Sequence, residues 1–280
     1  MMKYLCKYFL LPAFLLMQAG TLLSEDTIRL LCIGNSFSWD AVEQELVPLC
    51  NAAAQPIVIG NLYYGGCSLE QHHAFLLKDT AAYEFRFLTN DTTIRHQSYS
   101  LRQALTNYHW DYISLQQASH DSGITSTYEP FLSALIDSVI HHQPHATLCW
   151  MPTWSYARNA KHPAFPRYQS SQCVMDDSIQ LATHYVLLQH PDLHLVPCGE
   201  AIRLARKRLG DTLCRDGYHL NYTYGRYLAS CVWFEFLQKE EMRKNGTTRL
   251  RDIRRNPYRN PAMTRRQQRN TQAIAHQVIR

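Results

Sequence analysis

The sequence predicts an α/β fold, a three-layer α/β/α sandwich around a five-stranded parallel sheet. Three observations carry this reading. Short apolar runs alternate with stretches whose apolar residues recur at helical spacing. The runs are apolar on both faces, as strands covered by helices on each side must be. The chain has 280 residues, 46% hydrophobic and 18% charged, which is enough for one sizeable domain and short for two. That composition also excludes global disorder.

The first strand is Ile28 to Ile33, stopped by Gly34. Ala41 to Ala54 follows as a helix, with Val42, Leu46, Leu49, Cys50 and Ala53 at helical spacing. Ile57 to Tyr63 is the second strand, closed by Gly65-Gly66, and Leu69 to Leu77 is a helix. Tyr83 to Leu88 and Thr92 to His96 alternate in character around Asn90-Asp91, which predicts an inserted β-hairpin. Leu101 to Tyr108 is helical and Trp110 to Leu115 is the third core strand. Pro130 to His141 is a helix with Phe131, Leu135, Ile136 and Val139 inward, and Ala146 to Trp150 is the fourth strand. A helix over Met175 to Gln189 leads to the fifth strand, Leu193 to Val196. Ala201 to Leu209 and Gly225 to Lys239 are further helices. After Lys244 the pattern degrades at Pro257 and Pro261, and Thr264 to Ile279 is a last amphipathic helix with Ala273, Ile274 and Val278 on one side.

Lys3 and Lys7 precede an apolar stretch from Tyr8 to Met17, and the small residues Ala19 and Gly20 follow. This is the order of a cleavable secretory signal, and the stretch is too short to span a bilayer comfortably. We therefore expect a signal peptide over residues 1–24, one α/β domain over 25–244 and a basic extension over 245–280. The expected location is periplasmic or secreted, with no integral membrane span after cleavage. The net charge of +5 gathers late, at Arg243, Arg249, Arg251, Arg254, Arg255, Arg265, Arg266 and Arg269. It lies on no motif with interleaved aromatics, so no nucleic acid is expected. The basic end reads as a solvated surface or mobile tail, with a grip on an anionic partner as the rival reading.

Eight cysteines follow the signal, without a C-x-x-C pair. A zinc ribbon or dithiol redox site has no support, and Cys198 and Cys214, which flank one segment, are a candidate bridge. His72-His73, and His141-His142 with His145, read as solvated or packed side chains, so no metal is expected. The Gly-rich stretch lacks the Gly-Lys-Ser/Thr ending of a phosphate loop. No cofactor is expected, and nothing in the sequence sets an oligomeric state.

Parallel sheets bind ligands beyond the carboxyl ends of their strands. Gly34-Asn35-Ser36-Phe37-Ser38 follows the first strand, so Ser36 sits on a strand-to-helix turn with its hydroxyl outward. Unpaired backbone N–H groups there can stabilise an oxyanion. Alone, Ser36 reads as a helix cap. Asp216-Gly217-Tyr218-His219-Leu220-Asn221 changes that balance. An Asp and a His three residues apart can set one imidazole nitrogen on the carboxylate and turn the other to a serine hydroxyl.

Together these segments resemble the SGNH (GDSL-type) hydrolase superfamily, in an exported bacterial branch. The likeness rests on Gly34-Asn35-Ser36-Phe37-Ser38 and Arg215-Asp216-Gly217-Tyr218-His219-Leu220-Asn221. It extends through Gly199-Glu200-Ala201-Ile202 and Gly225-Arg226-Tyr227-Leu228, and covers roughly Arg29 to Leu237. The resemblance implies a flavodoxin-like sheet and esterase chemistry. Ser36 matches the nucleophile, His219 the base and Asp216 its orienting acid. The oxyanion donors fall on Ser36 and on Gly66 (or Gly65). The family's Asn after the third strand is replaced by Gln116-Gln117, where Gln117 is the expected donor, with Gln116 and His120 as alternatives. Asn35, Gln116 and Trp154 are placed as substrate contacts. Trp154, Tyr156 and Arg158 form either a sugar platform or acyl wall, or an ordinary packed loop. The implied substrate is a small molecule or an acylated carbohydrate. The departure at Gln116-Gln117 keeps a rival open, a catalytically weak glycan-binding protein on the same fold.

Overall fold

The computed structural model describes residues 27–90, 92–246 and 252–280. The expected signal lies outside them. Seven strands are numbered along the chain: β1 (Ile28–Gly34), β2 (Ile57–Tyr63), β3 (Tyr83–Leu88), β4 (Thr93–Tyr99), β5 (Tyr112–Leu115), β6 (Thr147–Trp150) and β7 (His194–Leu195). Five of them pair in parallel, in the order β2-β1-β5-β6-β7. This is the flavodoxin-like order, which reverses direction at β1 and opens a crevice at its carboxyl end. The hairpin β3-β4 extends the same sheet, because β2 leaves an unpaired margin on which β3 docks antiparallel. The sheet order is therefore β4-β3-β2-β1-β5-β6-β7. β4 forms an exposed margin and carries Arg95 and His96, with Ser98 at φ +55°.

Strand side chains alternate between two buried clusters, one on each side of the sheet. Leu30 and Cys32 of β1 join the first and Leu31 and Ile33 the second. The first is covered by α1 (Ser36–Val42), α2 (Leu46–Ala52), α7 (Cys198–Leu209) and α8 (Tyr224–Asn245). The second is covered by α3 (Leu69–Leu77), α4 (Leu101–Thr106) and α5 (Phe131–His142). α6 (Gln172–Gln189) feeds both, through Met175 and Ile179 on one side and Ala182 and Val186 on the other.

Three expectations change. The single helix expected over 41–54 is two, α1 and α2. Pro48 has no N–H to give, and its ring crowds the carbonyl four residues back, so the helix restarts after Glu45. The candidate Cys198–Cys214 bridge is absent: all eight cysteines are free. Cys214 Sγ meets Arg206 NH2 at 3.5 Å, and burial pushes the Cys214 thiol up to about 11. The basic extension, read as a solvated tail, docks where it is described. α9 (Arg265–Ile279) lies along α8, and Ile253, Ile274 and Ala275 are part of the core. A polar clasp seals the contact: Glu235, 2% exposed, accepts from Ile253 N at 3.1 Å and pairs with His276 Nδ1 at 2.9 Å. Glu235, Asp252 and His276 bring three ligand-type atoms together, but Arg254 already holds Asp252, so the trio serves as a clasp. No helix among the described residues is long and apolar enough to cross a membrane.

If the extension is part of the core, Ile253→Ala should cost about 2–4 kcal/mol of stability in urea unfolding. Substitution of the exposed Arg266 by Ala should stay within about 0.5 kcal/mol.

Candidate active site

The site is built at the carboxyl end of β1. Gly34 allows the turn because a Cβ there would lie 2.7 Å from Ser38 Oγ and 3.0 Å from the Gln116 carboxamide. Asn35 then caps α1: its Oδ1 accepts from Phe37 N at 3.0 Å. The cap function that Ser36 might have filled thus falls to Asn35, and Ser36 is free to act outward. The same Oδ1 accepts from Gln116 Nε2 at 2.8 Å, and Asn35 Nδ2 donates to Cys67 O at 3.1 Å. The ends of β1 and β5 and the loop after β2 are joined through one buried side chain.

The turn before α8 supplies the other partners. Arg215 N bonds His219 O at 2.8 Å and closes the turn. His219 Nε2 lies 2.8 Å from Ser36 Oγ, and its Nδ1 lies 2.6 Å from Asp216 Oδ2. Asp216 Oδ1 accepts from Tyr218 N at 3.1 Å and His219 N at 2.8 Å. Burial pushes the Asp216 carboxyl up, but these hydrogen bonds outweigh it and hold its pKa below the ordinary carboxylate value. The structure thus brings Ser36, His219 and Asp216 into one hydrogen-bonded chain.

Asp40, one turn beyond Ser36 on α1 and fully buried, anchors that turn. Its Oδ2 accepts from Leu220 N at 2.6 Å, and its Oδ1 pairs with Arg215 at 3.0 Å and Arg226 at 2.6 Å. Arg215 also donates to Leu220 O. Burial raises the Asp40 pKa against the pull of Arg226 and Arg215. No role was read from the sequence for Asp40, Arg215 or Arg226. A signal existed: an Asp three to four residues after the candidate nucleophile, in a segment otherwise able to bury.

The expected oxyanion donors divide. Ser36 N and Gly66 N have no partner among the described residues. Gly66 is exposed at φ +67°, a backbone conformation that favours Gly, and a Cβ there would meet nothing within 4 Å. Gln117 is corrected. Its Oε1 accepts from Leu69 N at 3.0 Å and Ala118 N at 2.8 Å, and its Nε2 donates to Thr127 O at 3.0 Å and Thr127 Oγ1 at 3.1 Å. Both its N–H groups are taken by a loop tie. Gln116 is the carboxamide that reaches the Ser36 turn, and its second N–H has no partner among the described residues. His120 stacks with His162 and sits 3.4 Å from Asp121.

Two placements as substrate contacts change as well. Asn35 is 1% exposed and spent on the turn, and Trp154 is 1% exposed. Trp154 stacks on Phe37 at 4.5 Å, and its Nε1 donates to Tyr218 O at 2.8 Å. It supports the turn that carries Asp216 and His219. On α1, Trp39 is partly exposed, with Tyr63 edge-on at 6.0 Å and Arg86 and Arg226 over its ring at 4.9 and 5.0 Å, and Tyr222, 56% exposed, stacks with Arg226 at 4.5 Å. His72 is a buried core residue 2.8 Å from Tyr83 OH, its pKa pushed down to about 3 by burial.

The sheet order and its covering helices are shared with solved structures of other proteins. The solved structure of a candidate SGNH hydrolase from Slackia heliotrinireducens shares this fold at 19% identity and TM-score 0.50, over 75% of this chain and 99% of that one. A candidate GDSL-like lipase from Parabacteroides merdae ATCC 43184 does so at 16% identity and TM-score 0.50, over 76% and 96%. Within that fold, the chain belongs to the family described as Domain of unknown function (DUF4886), whose model matches residues 29–277. A DUF4886 family protein from Bacteroides uniformis ATCC 8492 is 38% identical over 91% of this chain and 95% of its own, with TM-score 0.84. No curated protein matches the chain.

Removing the anchor should uncouple the turn from α1. Asp40→Ala leaves Arg215 and Arg226 without their buried partner, which should cost about 3–5 kcal/mol in chemical denaturation. In the fraction that stays folded, labelling of Ser36 by a fluorophosphonate should slow. Gln117→Ala should act on stability alone, by about 1–3 kcal/mol, and leave labelling of Ser36 unchanged.

Proposed function

We propose that this protein is an exported serine ester hydrolase. The observation that carries the reading is the unbroken chain from Asp216 Oδ2 through His219 to Ser36 Oγ, with steps of 2.6 and 2.8 Å. A serine hydroxyl is a weak nucleophile until a base takes its proton. His219 Nε2 takes it as Ser36 Oγ attacks an ester carbonyl, and Asp216 fixes the imidazole and offsets its charge. The oxyanion forms against Ser36 N, Gly66 N and the free N–H of Gln116. The leaving alcohol then takes the proton from His219. Water, activated by the same imidazole, releases the acid from Ser36 and restores the hydroxyl.

The proposed substrate class is an O-acyl carbohydrate. Tyr222, 56% exposed and three residues past His219, offers an aromatic ring next to the His219 turn, suited to the C–H face of a sugar ring. Export, to the periplasm or medium, rests on Lys3, Lys7 and the apolar stretch after them. Assembly of the triad favours turnover over the rival glycan-binding reading.

Ser36→Ala beside the parent protein, with short-chain aryl esters, is the direct test. We expect loss of kcat by at least about 10³-fold. Equal activity would remove Ser36 from the mechanism, and no fluorophosphonate adduct on the parent would favour the glycan binder. Gln116→Ala should lower kcat about 10²-fold with KM little changed. Tyr222→Ala should raise KM for acetylated oligosaccharides several-fold and leave hydrolysis of small aryl esters as it was.

A further inference from the structure

The last 36 residues carry nine arginines against a single acidic residue, Asp252, so the remainder of the chain is net negative. Arg254, Arg255, Arg259, Arg265 and Arg269 line one cavity of about 310 Å³ between the 253–260 segment and α9. Arg254 is held by Asp252. Arg255, Arg259, Arg265 and Arg269 have no carboxylate partner among the described residues.

Each cation stands beside an anchored neighbour. Arg254 and Arg255 follow Ile253, which is fully buried. Arg259 precedes Asn260, 3% exposed, whose Nδ2 donates to Glu45 at 3.2 Å. Arg265 and Arg269 lie four apart on α9, whose capping box is complete at Thr264 and Gln267. The floor is made of buried amides already fixed: Asn256 on Leu49 O at 2.9 Å, Gln268 on Tyr258 O at 2.7 Å and Gln272 on Tyr227 OH at 2.8 Å. The five arginines therefore line the cavity from an anchored backbone. Clustered cations of one sign in a concavity focus field on its interior, and guanidinium forks match tetrahedral oxyanions two bonds at a time.

We propose that this cavity is an anion-binding site for a phosphate or sulfate group, free or as an ester on a small ligand such as a sugar. A membrane surface fits less well. The large exposed hydrophobic residues (Leu77, Ile94, Ile140, Leu181, Leu188, Leu195, Tyr222 and Met242) all lie outside it, whereas a surface helix that enters lipid needs apolar side chains beside its cations. The site is separate from the Ser36 centre and does not depend on ester hydrolysis.

Calorimetric titration of the full chain with inorganic phosphate, inorganic sulfate, glucose 6-phosphate and glucose 6-sulfate tests this. We expect saturable binding that salt weakens. The double variant Arg265→Gln, Arg269→Gln should lose at least tenfold in affinity while keeping the parent's circular dichroism. Arg102→Gln, on the exposed side of α4, should change affinity less than twofold. Tighter binding of the sugar esters than of the free ions identifies an ester as the ligand; equal binding identifies the free ion. Absence of saturable binding overturns the proposal, as does unchanged affinity in the double variant. So does adsorption to phosphatidylglycerol vesicles without binding of any soluble anion.

Discussion

The Ser36–His219–Asp216 chain of hydrogen bonds depends on a buried carboxylate that is not part of it. Asp40 sits one turn past Ser36 and holds Arg215, Arg226 and Leu220 N, so the helix that carries Ser36 and the turn that carries His219 are tied at one point. Taking a charge out of water costs several kcal/mol unless partners surround it. Asp40 has two guanidinium groups and an N–H, and both cations belong to the segment that must be placed. Electrostatic necessity thereby becomes positional accuracy. The Ser36–His219 contact spans 183 residues of sequence, and it is kept by an interaction 180 residues long running beside it.

The second support is a set of carboxamides around the Ser36 turn. Asn35 binds the loop after β2 through Cys67 O and the end of β5 through Gln116. Gln117 ties the start of α3 to the loop at Thr127. Amides suit this work because each offers donors and acceptors together. Three strand ends are thus locked at a crevice where the sheet itself gives no lateral hydrogen bonds. The groups left without a partner on this frame, among the described residues, are Ser36 N, Gly66 N and the second N–H of Gln116.

Much of this was legible in the sequence, for identifiable reasons. The five parallel strands were readable because their residues are apolar on both faces, and Ser36, Asp216 and His219 because their spacing and turn chemistry fit one task. The fate of Gln116 and Gln117 was not. Adjacent residues leaving a strand point opposite ways, and which one meets Asn35 depends on register with β1, a long-range property. Trp154 misled for a related reason: an aromatic residue past a strand end reads alike whether it faces ligand or packs on Phe37. The basic extension looked like a tail because nine arginines are scattered among its apolar residues and two prolines interrupt it. Yet Ile253, Ile274 and Ala275 suffice to dock it on α8, as a helix needs only one apolar stripe. Pro48 did carry its message, and splitting the long helix there follows from its missing N–H.

The two margins of the sheet have a consequence for the molecule in solution. One margin, β4, is exposed but carries Arg95 and a residue in the left-handed region, and its register with β3 shifts between Tyr83 and Phe85. The other, β7, is two residues long and lies between Pro191 and Pro197. A neighbouring chain seeking to add a strand meets charge and irregular spacing at one side and almost no ladder at the other. Both flanks therefore disfavour main-chain pairing with a neighbouring chain.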